Sequence, residues 1–239
     1  MFRRVFIGLL LAGLCSGAHA ANIVFSGAAD LGNAGGPIST SYTVGTGQNR
    51  ILVLCALDDT AHGHTATYGG VALTGPVAVD ANQAQELYYL LNPASGSNTL
   101  TFTDNVSGIS FNQVIVADYY NVKQTGQPDG TGFADDTGTN DTFSGGFTTT
   151  QAGASVVACA SNSGNGTAPT VSGVNFTLRT YAAQFGDTLI ADHGSKAPAG
   201  GVTLTATIHN GGFKQGQSFL SLIPVPSGGS LMMTGVGNQ

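Results

Sequence analysis

The residues best suited to chemistry lie together in "CALDDTAHGHTATYGG", positions 55–70. Asp58, Asp59, His62 and His64 fall within that one stretch. A His-x-His pair puts two imidazoles on one face of an extended strand, and a neighbouring carboxylate could complete a metal triad. The competing reading is a polar loop leaving a buried strand, where Asp and Gly favour turns. A second acidic group, Asp129, Asp135, Asp136 and Asp141, sits in the glycine-rich "PDGTGFADDTGTND". Calcium takes oxygen ligands from such segments and is the one cofactor suggested. The spacing fits neither an EF-hand loop nor a repeated G-G-x-G-x-D motif, which favours a solvated linker. No G-x-S-x-G elbow occurs, and "GDTL" at 186–189 carries Thr where a nucleophilic Ser would stand. No catalytic residue is assigned, and the chain reads as a non-enzyme.

The elements that must hold these residues are strands. "ISTSYTV" (38–44) alternates with period two, the pattern of a half-buried strand. "RILVLCAL" (50–57) is apolar on both faces, as a strand covered on two sides requires. Further strand-like runs follow, separated by Gly, Asn, Asp and Pro clusters at short intervals.

These runs repeat. "ILVLCAL" (51–57) is echoed by "SVVACAS" (155–161), and "TYGGVALT" (67–74) by "TVSGVNFT" (170–177). "NTLTFT" (98–103) is echoed by "VTLTAT" (202–207), and "NQVIVAD" (112–118) by "QSFLSLI" (217–223). The separations are 104, 103, 104 and 105 residues. The sequence therefore predicts an all-β, antiparallel β-sandwich, jelly-roll or Ig-like, with an internal pseudo-repeat of 104 residues. Its domain spans 21–223, with halves at 22–125 and 145–223 and a Pro/Gly-rich tail at 224–239. Two tandem small sandwiches are the alternative.

Cys55 and Cys159 occupy equivalent places in this repeat, 104 residues apart. If their strands adjoin in one sheet, a disulfide is expected in an oxidising compartment; otherwise they are buried thiols. The repeat also bears on the first motif. The segment matching the Asp/His loop is "NSGNGTAP" (162–169), without acid or histidine, so the polar-loop reading is favoured over a metal site.

"NRILVL" from Asn49, "YGGVALT" (68–74), "YYLLNPASGSNTLTFT" (88–103) and "NVKQTGQP" (121–128) carry a family resemblance. Together they resemble a β-sandwich module of secreted and surface-exposed bacterial proteins and of some phage-associated ones. The resemblance covers residues 45–130 and implies a fold without agreed catalytic residues. Lys123 stands where an acid is common in the module's turn, which implies a looser turn here. Gly69-Gly70 is expected to supply the positive φ of a tight turn, and Arg50 to bond loop carbonyls or an acid.

Residues 1–20 read as a secretory signal, with basic Arg3 and Arg4, an apolar run and an Ala18-His19-Ala20 cleavage site. Cleavage after Ala20 implies a secreted, extracellular or cell-surface protein with no transmembrane segment in the mature chain. The whole chain has seven basic and thirteen acidic residues; without Arg3 and Arg4 its net charge is −8. That argues against nucleic acid, whose binding rests on Lys and Arg contacts to phosphate. Low charge and a Gly-rich composition instead suggest either a polar uncharged surface or one meant to touch neighbours, copies of itself above all. Two apolar end segments, Ile23-Val24-Phe25 and Leu231-Met232-Met233, are the candidate joints for such strand addition. A glycan or other surface ligand is the alternative partner, with Tyr68, Tyr88, Tyr89, Tyr119, Tyr120 and Tyr181 as possible platforms. Each Tyr-Tyr pair is expected to bury one ring and expose the other.

Overall fold

The computed structural model describes residues 21–58, 64–80, 85–103, 112–136, 141–162, 168–183, 187–208 and 215–226. These residues form seventeen strands and no helix. The first half of the chain holds β1 (Val24–Ala34), β2 (Ile38–Val44), β3 (Ile51–Asp58), β4 (Thr65–Tyr68), β5 (Val71–Ala72), β6 (Thr74–Asp80), β7 (Gln85–Leu91), β8 (Gly96–Thr103) and β9 (Asn112–Tyr120). The second holds β10 (Gly130–Asp135), β11 (Thr142–Thr148), β12 (Ala154–Asn162), β13 (Thr170–Ser172), β14 (Phe176–Ala183), β15 (Asp187–Lys196), β16 (Gly201–Thr207) and β17 (Gln215–Leu222).

Four sheets result, all pairings antiparallel. The first half makes a five-stranded sheet, β1-β9-β3-β7-β6, and an outer sheet, β2-β8-β4-β5. The second makes β10-β17-β12-β15-β14 and an outer sheet, β11-β16-β13. Counted along each half, the strands enter their sheets in the same order, except that β5 has no counterpart among the described residues of the second half.

Three apolar clusters show how the sheets stack. Leu52, Leu54, Tyr88, Val114 and Val116 of the first large sheet pack against Tyr42, Tyr68, Leu100 and Phe102 of its outer sheet. Val156, Ala158, Leu189 and Phe219 pack in the same way against Val202, Leu204 and Ala206. The third cluster joins the two large sheets to each other, with Val53, Leu87, Ile115 and Ala117 meeting Val157, Ile190 and Leu220. The arrangement is sandwich-like in four layers, and the two large sheets are covered on both faces. That is why β3, the middle of β9 and β12 read as nearly continuous apolar runs rather than alternating ones.

The layering settles several expectations. Cys55 and Cys159 are bonded, with Cα atoms 6.1 Å apart, but their strands do not share a sheet. The disulfide crosses between the two facing large sheets. Ahead of residue 145, "GTGFAD" is strand β10, paired with β17. The composition of that segment resembles a linker, yet its glycines have a packing role. A Cβ on Gly132 would sit 3.1 Å from the Phe147 ring, so the ring lies on bare backbone. Gly69 and Gly70 do take positive φ, 58° and 80°, at the β4–β5 turn. The turn after β9 is not loose: Gln124 Nε2 donates to the Arg50 carbonyl at 3.1 Å, and Gln127 Nε2 to that of Ile223 at 2.8 Å. No helix among the described residues is long and apolar enough to cross a membrane.

Candidate functional site

The Asp/His motif divides at the end of β3. Asp58 closes that strand opposite Asn112, while Asp59 and His62 lie outside the described residues. His64 is described, and it points inward: its side chain is buried between the first half's two sheets. Its Nδ1 lies 2.8 Å from Oε2 of Glu86, also buried, and its ring stacks on Phe102 with centroids 5.0 Å apart. The Tyr88 hydroxyl donates to the same Glu86 oxygen and lies 3.2 Å from the His64 carbonyl. Glu86 and Tyr88 are two apart on β7 and so share a face. Burial, reinforced by the hydrogen bond to Glu86, pushes the Tyr88 phenol well above its ordinary pKa.

The histidine is thus part of a buried imidazole–carboxylate–phenol network. Among the described residues no group of three His, Cys, Asp or Glu could hold a metal ion. Glu86 was the missed member. Its signal was a charged residue in step with Tyr88 on a core-facing register, but only the second covering sheet makes that face a core. In the second half Leu189 holds the corresponding place, opposite Ala160 as Glu86 is opposite Ala56.

The four aspartates proposed for calcium do not converge. Asp129 precedes β10 while Asp135 closes it and Asp136 follows, roughly 20 Å away at strand rise. Asp129 is instead a structural acceptor. It takes hydrogen bonds from the Thr150 amide at 2.8 Å, the Gln151 amide at 3.3 Å, the Ser221 hydroxyl at 3.2 Å and the Thr150 hydroxyl. Partial burial raises its pKa, but these donors outweigh burial and hold the carboxyl below its ordinary value. Asp136 is buried, with its amide bonded to the Gln215 carbonyl, and the Asp141 carbonyl accepts from the Ile208 amide at 2.8 Å.

The amino-terminal joint is already used within the chain. Val24 and Phe25 pair with Tyr120 and Tyr119, and Ile23 and Phe25 pack on the cluster between the large sheets. The Arg179 guanidinium lies 4.3 Å above the Phe25 ring and grips Asp192 with two bonds of 2.6 and 2.9 Å. Those bonds raise the Arg179 pKa, while burial, with Asp192 adjacent, raises that of Tyr119. Leu231, Met232 and Met233 lie outside the described residues.

Of the six tyrosines weighed as a platform, four are buried, Tyr120 is half-buried and Tyr181 is exposed. Tyr88 and Tyr89 are both buried, against the alternation expected of them, because their sheet is covered on both faces. Tyr68 and Tyr119 are buried as well, and Tyr181 is the exposed one, at 42%. Arg50 donates to the carbonyls of Pro93 at 2.9 Å and Gly47 at 2.7 Å, pinning two loops.

The described residues line two sizeable surface concavities. One, of about 460 Å³, opens between the turn after β13 and strands β15 and β16, with Lys196 and His193 in its walls. The other, of about 300 Å³, lies where β6 meets β10 and is flanked by Phe133. No family model, curated protein or solved structure matches the chain.

Proposed function

We propose that this chain is an exported, non-enzymatic structural or adhesive subunit that assembles with copies of itself through strand addition. The observation that carries the reading is where the reactive side chains are spent. Glu86 is tied to His64 and Tyr88, Asp118 to Tyr42, Asp192 to Arg179, and Asp129 to Thr150, so each of these acids holds elements together. A disulfide buried between two sheets fits an oxidising compartment outside the cytosol.

The architecture is best explained as two copies of one β-sandwich unit, offset by 104 residues. Exchanging the halves turns the contact of β1 with β14 into that of β10 with β6, and both contacts exist. That exchange is a two-fold operation, and residues meeting their own equivalents lie on its axis. Cys55 and Cys159 fit such a position, so the chain resembles a dimer whose subunits have been fused and then welded.

Negative-stain electron microscopy over a range of concentrations tests the function. Regular filaments or sheets are the expected result. Discrete monomers at every concentration would remove self-assembly, and saturable glycan binding by those monomers would replace it.

A further inference from the structure

The two halves differ most where β4 and β13 end. In the first half Tyr68, opposite Leu100, fills the space between its two sheets, and its hydroxyl donates to the Gly96 carbonyl at 2.7 Å. In the second half the last β13 pair is Ser172 with Thr205, so Gly173 stands at the matching place, beside Leu204. A Cβ on Gly173 would lie 2.8 Å from the Thr203 carbonyl oxygen, so this place takes no side chain. The concavity of about 460 Å³ opens here, with Gly173 and Val202 in its walls.

A second exchange gives the concavity a polar wall. Leu90 lies opposite Leu52 in the first half, and at the matching place in the second His193 lies opposite Val156. His193 is only 4% exposed and lies in step with Leu189 and Ala191, whose face meets the outer sheet. Its Nδ1 donates to the Gly194 carbonyl at 2.7 Å, which makes Nε2 of the neutral ring an acceptor. That Nε2 has no hydrogen-bond partner among the described residues and is not sealed from solvent. Asn175 and Lys196 add two further polar side chains, and Val174, 79% exposed, forms an apolar lip. Among the described residues no acid lines the concavity, and Lys196 makes no ion pair. In a chain of thirteen acids and seven bases, such an uncommitted cation marks a place for one negative charge.

We propose that this concavity binds a sugar unit bearing a carboxylate, as found in an acidic polysaccharide. Lys196 takes the carboxylate, His193 Nε2 and the Asn175 amide take ring hydroxyls, and Val174 and Val202 lie against the C–H face. The inference goes beyond self-assembly, because one chain forms the whole site. Three features select this ligand. The volume falls in the range of small-molecule sites, about 300–1,000 Å³. A phosphate has no apolar face to set against Val174 and Val202. A peptide added as a strand needs a bare sheet edge, and Gly173 covers that of β16 here.

Isothermal titration calorimetry on the full chain at low salt tests this, with oligogalacturonate and its uncharged methyl ester as probes. Wild type is expected to bind oligogalacturonate saturably, at one site per chain. The ester should bind about tenfold more weakly, the loss of one charge-assisted contact. Lys196→Gln is expected to bring the two probes to equal affinity. Asn175→Gly, which tolerates the φ of 68° there, and His193→Leu, which installs the first half's residue type, should weaken both probes alike. Circular dichroism should be unchanged in each variant. No saturable binding by wild type would overturn the site, and so would oligogalacturonate affinity unchanged in both Lys196→Gln and Asn175→Gly. An ester bound as tightly as the acid would overturn the assignment to an acidic sugar. Sedimentation velocity on the same samples separates this site from self-assembly. Monomers that bind oligogalacturonate leave the site standing without assembly, and polymers that do not bind it leave assembly standing without the site.

Discussion

The two halves of this chain follow one path and fill it differently. Between its sheets the first half sets Tyr42, Tyr68, Tyr88 and Phe102, and it buries an ionisable network at His64 and Glu86. The second half, at the places of Tyr88, Phe102 and Glu86, has Ala191, Ala206 and Leu189. It recovers part of the lost volume with Phe219, which stacks on Phe147 at 5.7 Å, where the first half has Val116. The path depends on alternation and turns, while the filling depends on total volume, so one backbone order tolerates two side-chain solutions. The first solution is closed and polar inside. The second is built from smaller apolar side chains and buries Gln217 between its sheets, where its Nε2 donates to the Phe143 carbonyl at 3.3 Å.

The disulfide is the sharpest way to break the comparison, because it is what holds the two fillings to one fate. Replacing Cys55 and Cys159 by Ala is expected to lower unfolding stability by about 4–5 kcal/mol, from loop entropy alone. Urea unfolding should then separate into two transitions, one for each half. A single transition would mean that the interface between the large sheets couples the halves unaided.

Next in size is the buried network. Glu86→Leu installs the side-chain type that the second half uses, yet removes the buried carboxylate that His64 and the Tyr88 hydroxyl share. A loss of about 3–5 kcal/mol in urea unfolding is expected, as for one partner removed from a buried pair. Adding His64→Leu should restore part of it; no recovery would show that Glu86 is needed mainly for Tyr88.

The smallest effect concerns how the first strand of each large sheet begins. Phe25 does this under the Arg179 guanidinium, and Asp129 does it with hydrogen bonds. The Asp129 carboxyl is held below its ordinary value of 3.8, so its contribution is present above that pH and fades as pH falls through the folded value. The stability gap between wild type and Asp129→Asn should therefore be constant near neutrality and narrow in acid. A gap that does not change with pH would assign the effect to geometry rather than charge.

Much of the fold was legible. Period-two runs, Gly and Asn turns and the 104-residue echo gave the strands and paired the two cysteines by position. The candidate sites were less so. Four nearby aspartates look like a cation site in sequence, but a strand six residues long puts its ends far apart. His64 looks like part of a polar loop until Glu86 and Phe102 arrive from β7 and β8. A tyrosine pair looks half exposed when only one covering sheet is assumed.

By itself, then, the sequence determined an all-β chain of short strands and turns, because these depend on neighbours a few residues apart. The tertiary structure decided the number of layers, the route of the disulfide between sheets and the burial of His64. Each depends on which distant faces meet. That is set by the summed volume of side chains from separate strands, a quantity that no local pattern carries.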